Sequence, residues 1–242
     1  MKRLFDIISA LLGLVFLSPL LIILAIGVKL SSPGMILYRQ QRIGLEARPF
    51  YLYKFRSMVA NADRMGSSVT TAVDRRITPF GRFLRGYKLD ELPQLWNVLI
   101  GEMSLVGPRP DVAEIVDQYT DDQLAILDVR PGITSIASLH MRNEEGLLAL
   151  FPDPDDAYIK YVVPAKIELA LEHVRRDSFW FDLKILLLTL WAVVPFGARI
   201  YAIPEHPVVA DLRKKAQQLS AAPKETPLPV VEAEHAAAPV TA

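Results

Sequence analysis

Residues 7–28 read IISALLGLVFLSPLLIILAIGV, 22 consecutive residues without a charge. As one unbroken helix that run would cross a hydrocarbon core of roughly 30 Å. Ser18-Pro19 stands at its centre. Pro19 removes a backbone donor and its ring clashes with the preceding turn, so the helix kinks or breaks there. The Ser18 hydroxyl can satisfy a freed carbonyl. Each half then extends only about 18 Å, too short to cross alone. Lys2 and Arg3 precede the run, and Lys29, Arg39 and Arg42 follow it. A single span normally carries positive charge on one side. Charge on both sides suits a re-entrant hairpin that enters and leaves by one face. A single span kinked at Pro19 is the competing reading. A cleaved signal peptide is disfavoured, because the run is too long and no small-x-small site follows.

The remainder fits one globular body. The chain has 242 residues, 51% of them apolar and 22% charged, which suits a domain on a membrane anchor better than a polytopic channel. It has no cysteine, which excludes disulfide, zinc-thiolate and thiol-nucleophile chemistry. Zero net charge hides an asymmetry: residues 35–89 hold eleven Lys and Arg but only Glu46, Asp63 and Asp74 as acids. Such a stretch reads as a solvated or membrane-facing surface, or as a phosphate pocket. It carries no nucleic-acid-binding motif.

Along the chain, residues 36–58 read as a short strand or irregular segment, and 59–78 as a helix and a loop. Residues 90–100 read as a helix opening at Asp90, with Leu92, Leu95, Trp96 and Leu99 as its apolar face. Gly107-Pro108-Arg109-Pro110 is a rigid loop. Residues 111–127 read as an acidic amphipathic helix, and Pro131-Gly132-Ile133-Thr134 as a turn. Residues 155–176 are helical with a break near Pro164. Leu183 to Val194 is a 12-residue apolar run, too short to span and suited to an interface or a core. Past about residue 205 the composition reads as a disordered tail. There is no internal repeat.

Asp90-Glu91 follows the basic stretch. Asp and Glu at a helix start commonly do no more than cap it. The setting adds a chemical reading. A carboxylate can attack phosphorus and hold a covalent intermediate. Two adjacent carboxylates repel, and a divalent cation such as Mg²⁺ relieves that while binding phosphate oxygens. Arg82, Arg85 and Lys88 lie just upstream. Arg109 sits on a stiff loop. Lys54 and Arg142 are single cations that also suit surface ion pairs. The chain lacks the phosphate-loop, dinucleotide, H-E-x-x-H and G-x-S-x-G signatures. Asp153-Pro154-Asp155 resembles an Asp-x-Asp metal motif, and equally an exposed acidic turn.

Taken together the blocks resemble a known family. They are Lys2-Arg3-Leu4-Phe5-Asp6, the run with Ser18-Pro19, Tyr53-Lys54-Phe55-Arg56-Ser57-Met58, and Leu89-Asp90-Glu91-Leu92-Pro93-Gln94-Leu95-Trp96-Asn97-Val98. Met103 to Pro110, Pro131 to Thr134 and Ser178 to Ile185 continue the series. The chain resembles the bacterial sugar transferases, the monotopic phosphoglycosyl transferases, over about residues 1–195. Its length resembles the minimal form, without extra N-terminal transmembrane helices.

The resemblance implies a helix-rich α+β fold: a membrane re-entrant helix-break-helix hairpin (1–34), a small cytoplasmic catalytic domain with interfacial amphipathic helices (35–204), and the tail (205–242). It implies transfer of a phosphosugar from a UDP-sugar donor to a polyprenyl phosphate such as undecaprenyl phosphate, in the cytoplasmic leaflet of the bacterial inner membrane. Asp90 becomes the nucleophile, Glu91 and Asp90 share Mg²⁺, and UMP leaves. Lys54, Arg85 and Arg142 match phosphate-binding positions, and Pro108, Arg109 and Pro110 a loop linked to the nucleotide. Asp182 matches a further acid, and Ser18-Pro19 the break in the hairpin. The product would start a surface polysaccharide or glycoconjugate. The expected partners are donor, acceptor and membrane lipids, with no nucleic acid; homo-oligomerisation stays open. Ser138, His140 and Ala170 depart from the family pattern, which bears on sugar preference. A glycosyltransferase releasing UDP and a membrane-anchored scaffold are the alternatives.

Overall fold

The computed structural model describes residues 1–62, 65, 74–176, 178–193 and 204–221. The apolar run opens the fold as two helices, α1 (Lys2–Phe16) and α2 (Ser18–Ser31), bent by 64° across Leu17. Pro19 cannot donate to the carbonyl of Val15, four residues back. The Ser18 hydroxyl takes that carbonyl instead, at 2.8 Å. Among the described residues no single helix is long and apolar enough to cross a membrane.

Polar contacts at the start of α1 lock it to the body. Arg3 donates to the carbonyls of Val98 (2.6 Å) and Leu99 (3.0 Å). Buried Asp6 accepts from Ser104 Oγ (2.9 Å) and the Leu105 N–H (3.1 Å). Lys2 pairs with Asp182 at 2.5 Å. On α2, Leu24 and Val28 pack with Phe55 and Leu84, and Gly27 leaves room for the Phe80 ring. The opposite faces of both helices are apolar and exposed at Leu4, Ile8, Phe16, Ile22, Ile23 and Leu30.

Residues 36–58 form more than one strand. β1 (Leu37–Ile43) and β2 (Pro49–Phe55) pair antiparallel, from Leu37 opposite Phe55 to Ile43 opposite Pro49. Glu46 and Ala47 turn the chain between them at positive φ. Of residues 59–78, positions 63, 64 and 66–73 lie outside the described residues; the ends meet at a bridge between Met58 and Ile77. α3 (Pro79–Gly86) is capped by Thr78, whose Oγ1 accepts from the Gly81 N–H at 2.9 Å.

The helix expected to open at Asp90 opens later. Lys88 is left-handed (φ 57°), Leu89–Glu91 is a 3-10 turn, and α4 runs from Gln94 to Ile100 behind Pro93. Leu92, Leu95 and Leu99 of its expected face pack against the apolar cores, but Trp96 does not. Gln94, Asn97 and Val98 are buried, whereas Trp96 and Ile100 face outward. The short strands β3 (Ser104–Val106) and β4 (Gly132–Thr134) pair in parallel. Gly107 and Gly132 sit where an added Cβ would strike the facing backbone.

Residues 111–127 break into α5 (Ala113–Val116) and α6 (Asp121–Leu124), followed by a 3-10 turn. Thr120 restarts the helix through a capping box with Gln123, which is why one continuous helix does not form. Beyond β4 come α7 (Ile136–His140), α8 (Glu144–Leu148) and α9 (Pro154–Ala157). The break expected near Pro164 is a π-helical turn, Tyr158–Val162, leading into α10 (Val163–Arg175). The second apolar run lies in α11 (Phe179–Val193); Ile185 and Ala192 are buried while Trp180, Leu187 and Leu190 are exposed. Val194 lies outside the described residues.

Residues from 205 were expected to be disordered, yet α12 (Pro207–Ala221) is a packed helix. Val209, Leu212 and Ala216, at helical spacing, join the main core. Glu172 on α10 meets His206 at 3.0 Å, and Lys215 lies 4.3 Å from the centre of the Tyr161 ring. Residues 222–242 lie outside the described residues. Burial makes α12 part of the fold, so Leu212→Ala should destabilise the full chain by about 2–4 kcal/mol. Denaturant unfolding in detergent measures this, and a loss below about 0.5 kcal/mol, the ordinary surface range, contradicts it.

Candidate active site

Three segments converge on Glu91. β2 brings Lys54, whose Nζ lies 3.1 Å from Glu91 Oε1. The loop after β3 brings Arg109, whose fork donates to both oxygens, at 2.7 Å (Oε1) and 3.3 Å (Oε2). The left-handed turn at Lys88 swings the chain from α3 so that Asp90 and Glu91 face this junction. Asn97, fully buried, ties β2 to α4. Its Oδ1 accepts from the Tyr53 N–H (3.1 Å), and its Nδ2 donates to the Tyr51 carbonyl (2.7 Å) and Glu102 (2.6 Å). The strand carrying Lys54 is thereby registered against the turn carrying Asp90.

The adjacent acids have opposite environments. Burial alone would raise Glu91, but Arg109 and then Lys54 outweigh it and hold Glu91 well below the usual carboxylate range. Asp90 is 7% exposed, and its Oδ1 has no hydrogen-bond partner. Burial first, and the neighbouring Glu91 charge second, push Asp90 upward; Lys54, Arg85 and Lys88 offset this only in part. Burial pushes Lys54 down against the pull of Glu91, and Glu91 raises Arg109 further. Two acids driven apart in this way suit different roles. Glu91 is a fixed anion that organises cations. Asp90 keeps an oxygen unengaged.

The structure gathers only part of the expected set. Lys54, Asp90, Glu91 and Arg109 meet, with Pro108 and Pro110 flanking Arg109. Arg85 and Lys88 act on Asp90 through their charge. The Arg142 guanidinium donates to the Ala192 carbonyl on α11 and, among the described residues, makes no hydrogen bond or ion pair with Lys54, Asp90, Glu91 or Arg109. Asp182 lies between Lys2 (2.5 Å) and His173 (3.3 Å), where it ties α11 and α10 to the start of α1. Asp90 does not cap a helix through its side chain. Asp153 does cap α9, accepting from the Asp155 and Asp156 N–H groups at 3.1 Å, so that motif is a helix start.

Sequence reasoning gave Asn97 and Gln94 no role of their own beyond the motif block that contains them. Both are fully buried, and Gln94 has no partner for either end of its amide. Asp6 and His173 were missed as well. Among the described residues, no group of three or more His, Cys, Asp or Glu could hold a metal ion unaided. A cation here would need Asp90 Oδ1 and oxygens from a bound phosphate. The free Oδ1 fits that demand, whereas the Glu91 oxygens already serve Lys54 and Arg109.

These environments have opposite consequences for stability. A depressed acid stabilises the fold above its unfolded pKa and loses that contribution as pH falls through its folded value; a raised acid destabilises it once ionised. Glu91→Gln should therefore cost about 2–3 kcal/mol at pH 7, below the roughly 3–5 of a fully buried broken pair, with less loss in acid. Asp90→Asn should instead be neutral or stabilising at pH 7. Unfolding of both variants at pH 7 and in mild acid measures this, and equal destabilisation by the two contradicts the division.

A family model described as bacterial sugar transferase matches residues 1–195. The chain is 40% identical over 198 residues to the UDP-glucose:undecaprenyl-phosphate glucose-1-phosphate transferase of Xanthomonas campestris pv. campestris, covering 78% of this chain and 37% of that protein. It is 37% identical to the UDP-N-acetylgalactosamine-undecaprenyl-phosphate N-acetylgalactosaminephosphotransferase of Aeromonas hydrophila, covering 82% and 45%. It is 38% identical to the uncharacterized sugar transferase EpsL of Bacillus subtilis (strain 168), covering 80% and 87%. The chain thus spans less than half of the first two relatives.

Proposed function

The chain belongs to the bacterial sugar transferase family, and from that membership we propose that it transfers a phosphosugar from a UDP-sugar to a polyprenyl phosphate, undecaprenyl phosphate in the first instance. The observation that carries this reading is the buried Asp90 with an unengaged oxygen, beside a Glu91 saturated by Lys54 and Arg109. Relatives named for glucose-phosphate and N-acetylgalactosamine-phosphate transfer support the donor and acceptor classes.

In this reading the Asp90 carboxylate attacks the sugar-bearing phosphorus. A phosphorus–oxygen bond forms to Asp90, the diphosphate bridge breaks, and UMP leaves with the bridging oxygen. An oxygen of the lipid phosphate then attacks the same phosphorus and releases the Asp90 carboxylate, giving a polyprenyl diphosphate sugar. Lys54 and Arg109 offset the phosphate charge, with Arg85 and Lys88 adding to the field. Mg²⁺ would be held by Asp90 Oδ1 and phosphate oxygens, with Glu91 adjoining, and would neutralise charge on the leaving phosphate.

The anchor belongs to the same proposal. The 64° bend at Leu17 and the exposed apolar faces of α1 and α2 favour a re-entrant hairpin over a straight span. Both ends would lie on the cytoplasmic face of the bacterial inner membrane. α11 would lie in the interface, where its exposed Trp180 and Trp191 suit the headgroup level. The site would then open at the membrane, where lipid phosphate lies.

Full-length protein incubated with UDP-sugars, Mg²⁺ and polyprenyl phosphate should release UMP; release of UDP overturns the reading. Intact mass should detect a phosphosugar adduct that Asp90→Asn abolishes, and an adduct on that variant refutes the nucleophile assignment. A raised Asp90 is protonated over more of the acid range, so adduct formation should decline as pH falls at values above the usual carboxylate range. A rate still flat below that range contradicts it. Reporters at Met1 and residue 35 should face the same side of the membrane; opposite faces exclude the hairpin.

A further inference from the structure

Arg109 is useful only where its loop aims it. The front of the Gly107–Pro110 loop is held by backbone: the Gly107 N–H donates to the Thr134 carbonyl (3.0 Å), and the Pro108 carbonyl accepts from the Gly132 N–H (2.9 Å). Its far end lacks a donor, because Pro110 has no N–H. There β1 takes over. Arg42 Nη1 donates to the Pro110 carbonyl at 3.1 Å, and the next residue, Ile43, donates its N–H to the Asp111 carbonyl at 2.9 Å. Arg42 is itself gripped from behind: Nε (3.2 Å) and Nη2 (2.7 Å) both donate to Gln40 Oε1.

This brace works against its own charge. Burial disfavours the Arg42 cation, and Arg109 disfavours it next; Asp111, Tyr158 and Tyr38 act the other way. A structural strut has no need of a second guanidinium beside the first. Arg109 is drawn chiefly to Glu91, and to Glu144 and Asp90 as well, so Arg42 acts on it through the loop that carries it. The planar fork also fixes two partners at once, which a single ammonium cannot do in the same geometry.

We propose that Arg42 is a positioning residue for donor binding: it pins the Pro108–Pro110 loop through the Pro110 carbonyl and so holds Arg109 where it meets Glu91 and the donor phosphates. The substrate part rests on the proposed phosphosugar transfer; the coupling of Arg42 to Arg109 does not.

The test compares Arg42→Ala, Arg42→Lys, Arg109→Ala and the Arg42→Ala/Arg109→Ala double variant of the full chain. Donor KM should rise about tenfold in Arg42→Ala, the equivalent of one charge-assisted hydrogen bond, while kcat stays within about threefold. Arg42→Lys should recover only a minor part of that loss, since charge without the fork is insufficient. The double variant should have the donor KM of Arg109→Ala alone, because Arg42 acts through Arg109. Multiplying effects, full rescue by Lys, or an unchanged KM in Arg42→Ala would each overturn the proposal. If the wild type transfers from no UDP-sugar, the failure lies with the proposed function. Thermal unfolding of the same four proteins then decides: Tm shifts should be non-additive, and strictly additive shifts refute the coupling.

Discussion

Glu91 is the point on which the active region depends. Lys54 from β2, the 3-10 turn itself and Arg109 from the loop after β3 meet at this one carboxylate. β3 and the turn have three residues each; Asn97 and the backbone bonds of the Gly107–Pro110 loop register them, and the charges draw their side chains together. A part-buried carboxylate with a bidentate guanidinium and an ammonium is a strong local constraint, because removing any member leaves the others unpaired and only partly solvated.

The same logic governs how the apolar hairpin joins the body. α1 is fixed by Ala10 and Phe5 in the main core and by Arg3 on the carbonyl end of α4 and Asp6 on the start of β3. α4 follows directly on the Asp90–Glu91 turn, and β3 leads into the Arg109 loop. The contacts that seat the hairpin therefore also seat the two segments flanking the site. Asp182, through Lys2 and His173, extends this clasp to α11 and α10. The opening basic-acidic block thus fixes α1 against the same elements that flank the site.

What the sequence revealed follows from which signals are local. Pro19 and Ser18 act within one helical turn, so the break and its compensating hydroxyl were legible. Asp90-Glu91 and Arg109 stood out by charge and by prolines. The partner of Arg142, a backbone carbonyl 50 residues away, is one that no sequence pattern records. The expected face of α4 was right at Leu92, Leu95 and Leu99 and wrong at Trp96, which faces outward, while Asn97 is buried because two bonds to the distant β2 and one to nearby Glu102 satisfy it. α12 was missed because Ala- and Val-rich composition resembles a tail, although Val209, Leu212 and Ala216 keep a helical stripe. The helix-rich α+β class survived these errors, since it depends on element content and not on which face is buried.

The opposed shifts of Asp90 and Glu91 follow from one geometric fact. Burial acts on both, and both sit among the same cations. Arg109 and Lys54 bond to Glu91 directly but reach Asp90 only through space. Direct bonding turns burial from a penalty into a reason for tight pairing, whereas distance leaves it a penalty. A protein that placed Arg109 between the two acids would have quenched both. Placing it beyond Glu91 leaves Asp90 desolvated and unengaged at the edge of a positive field. That is the condition in which a carboxylate keeps a lone pair available and an incoming phosphate is attracted rather than repelled.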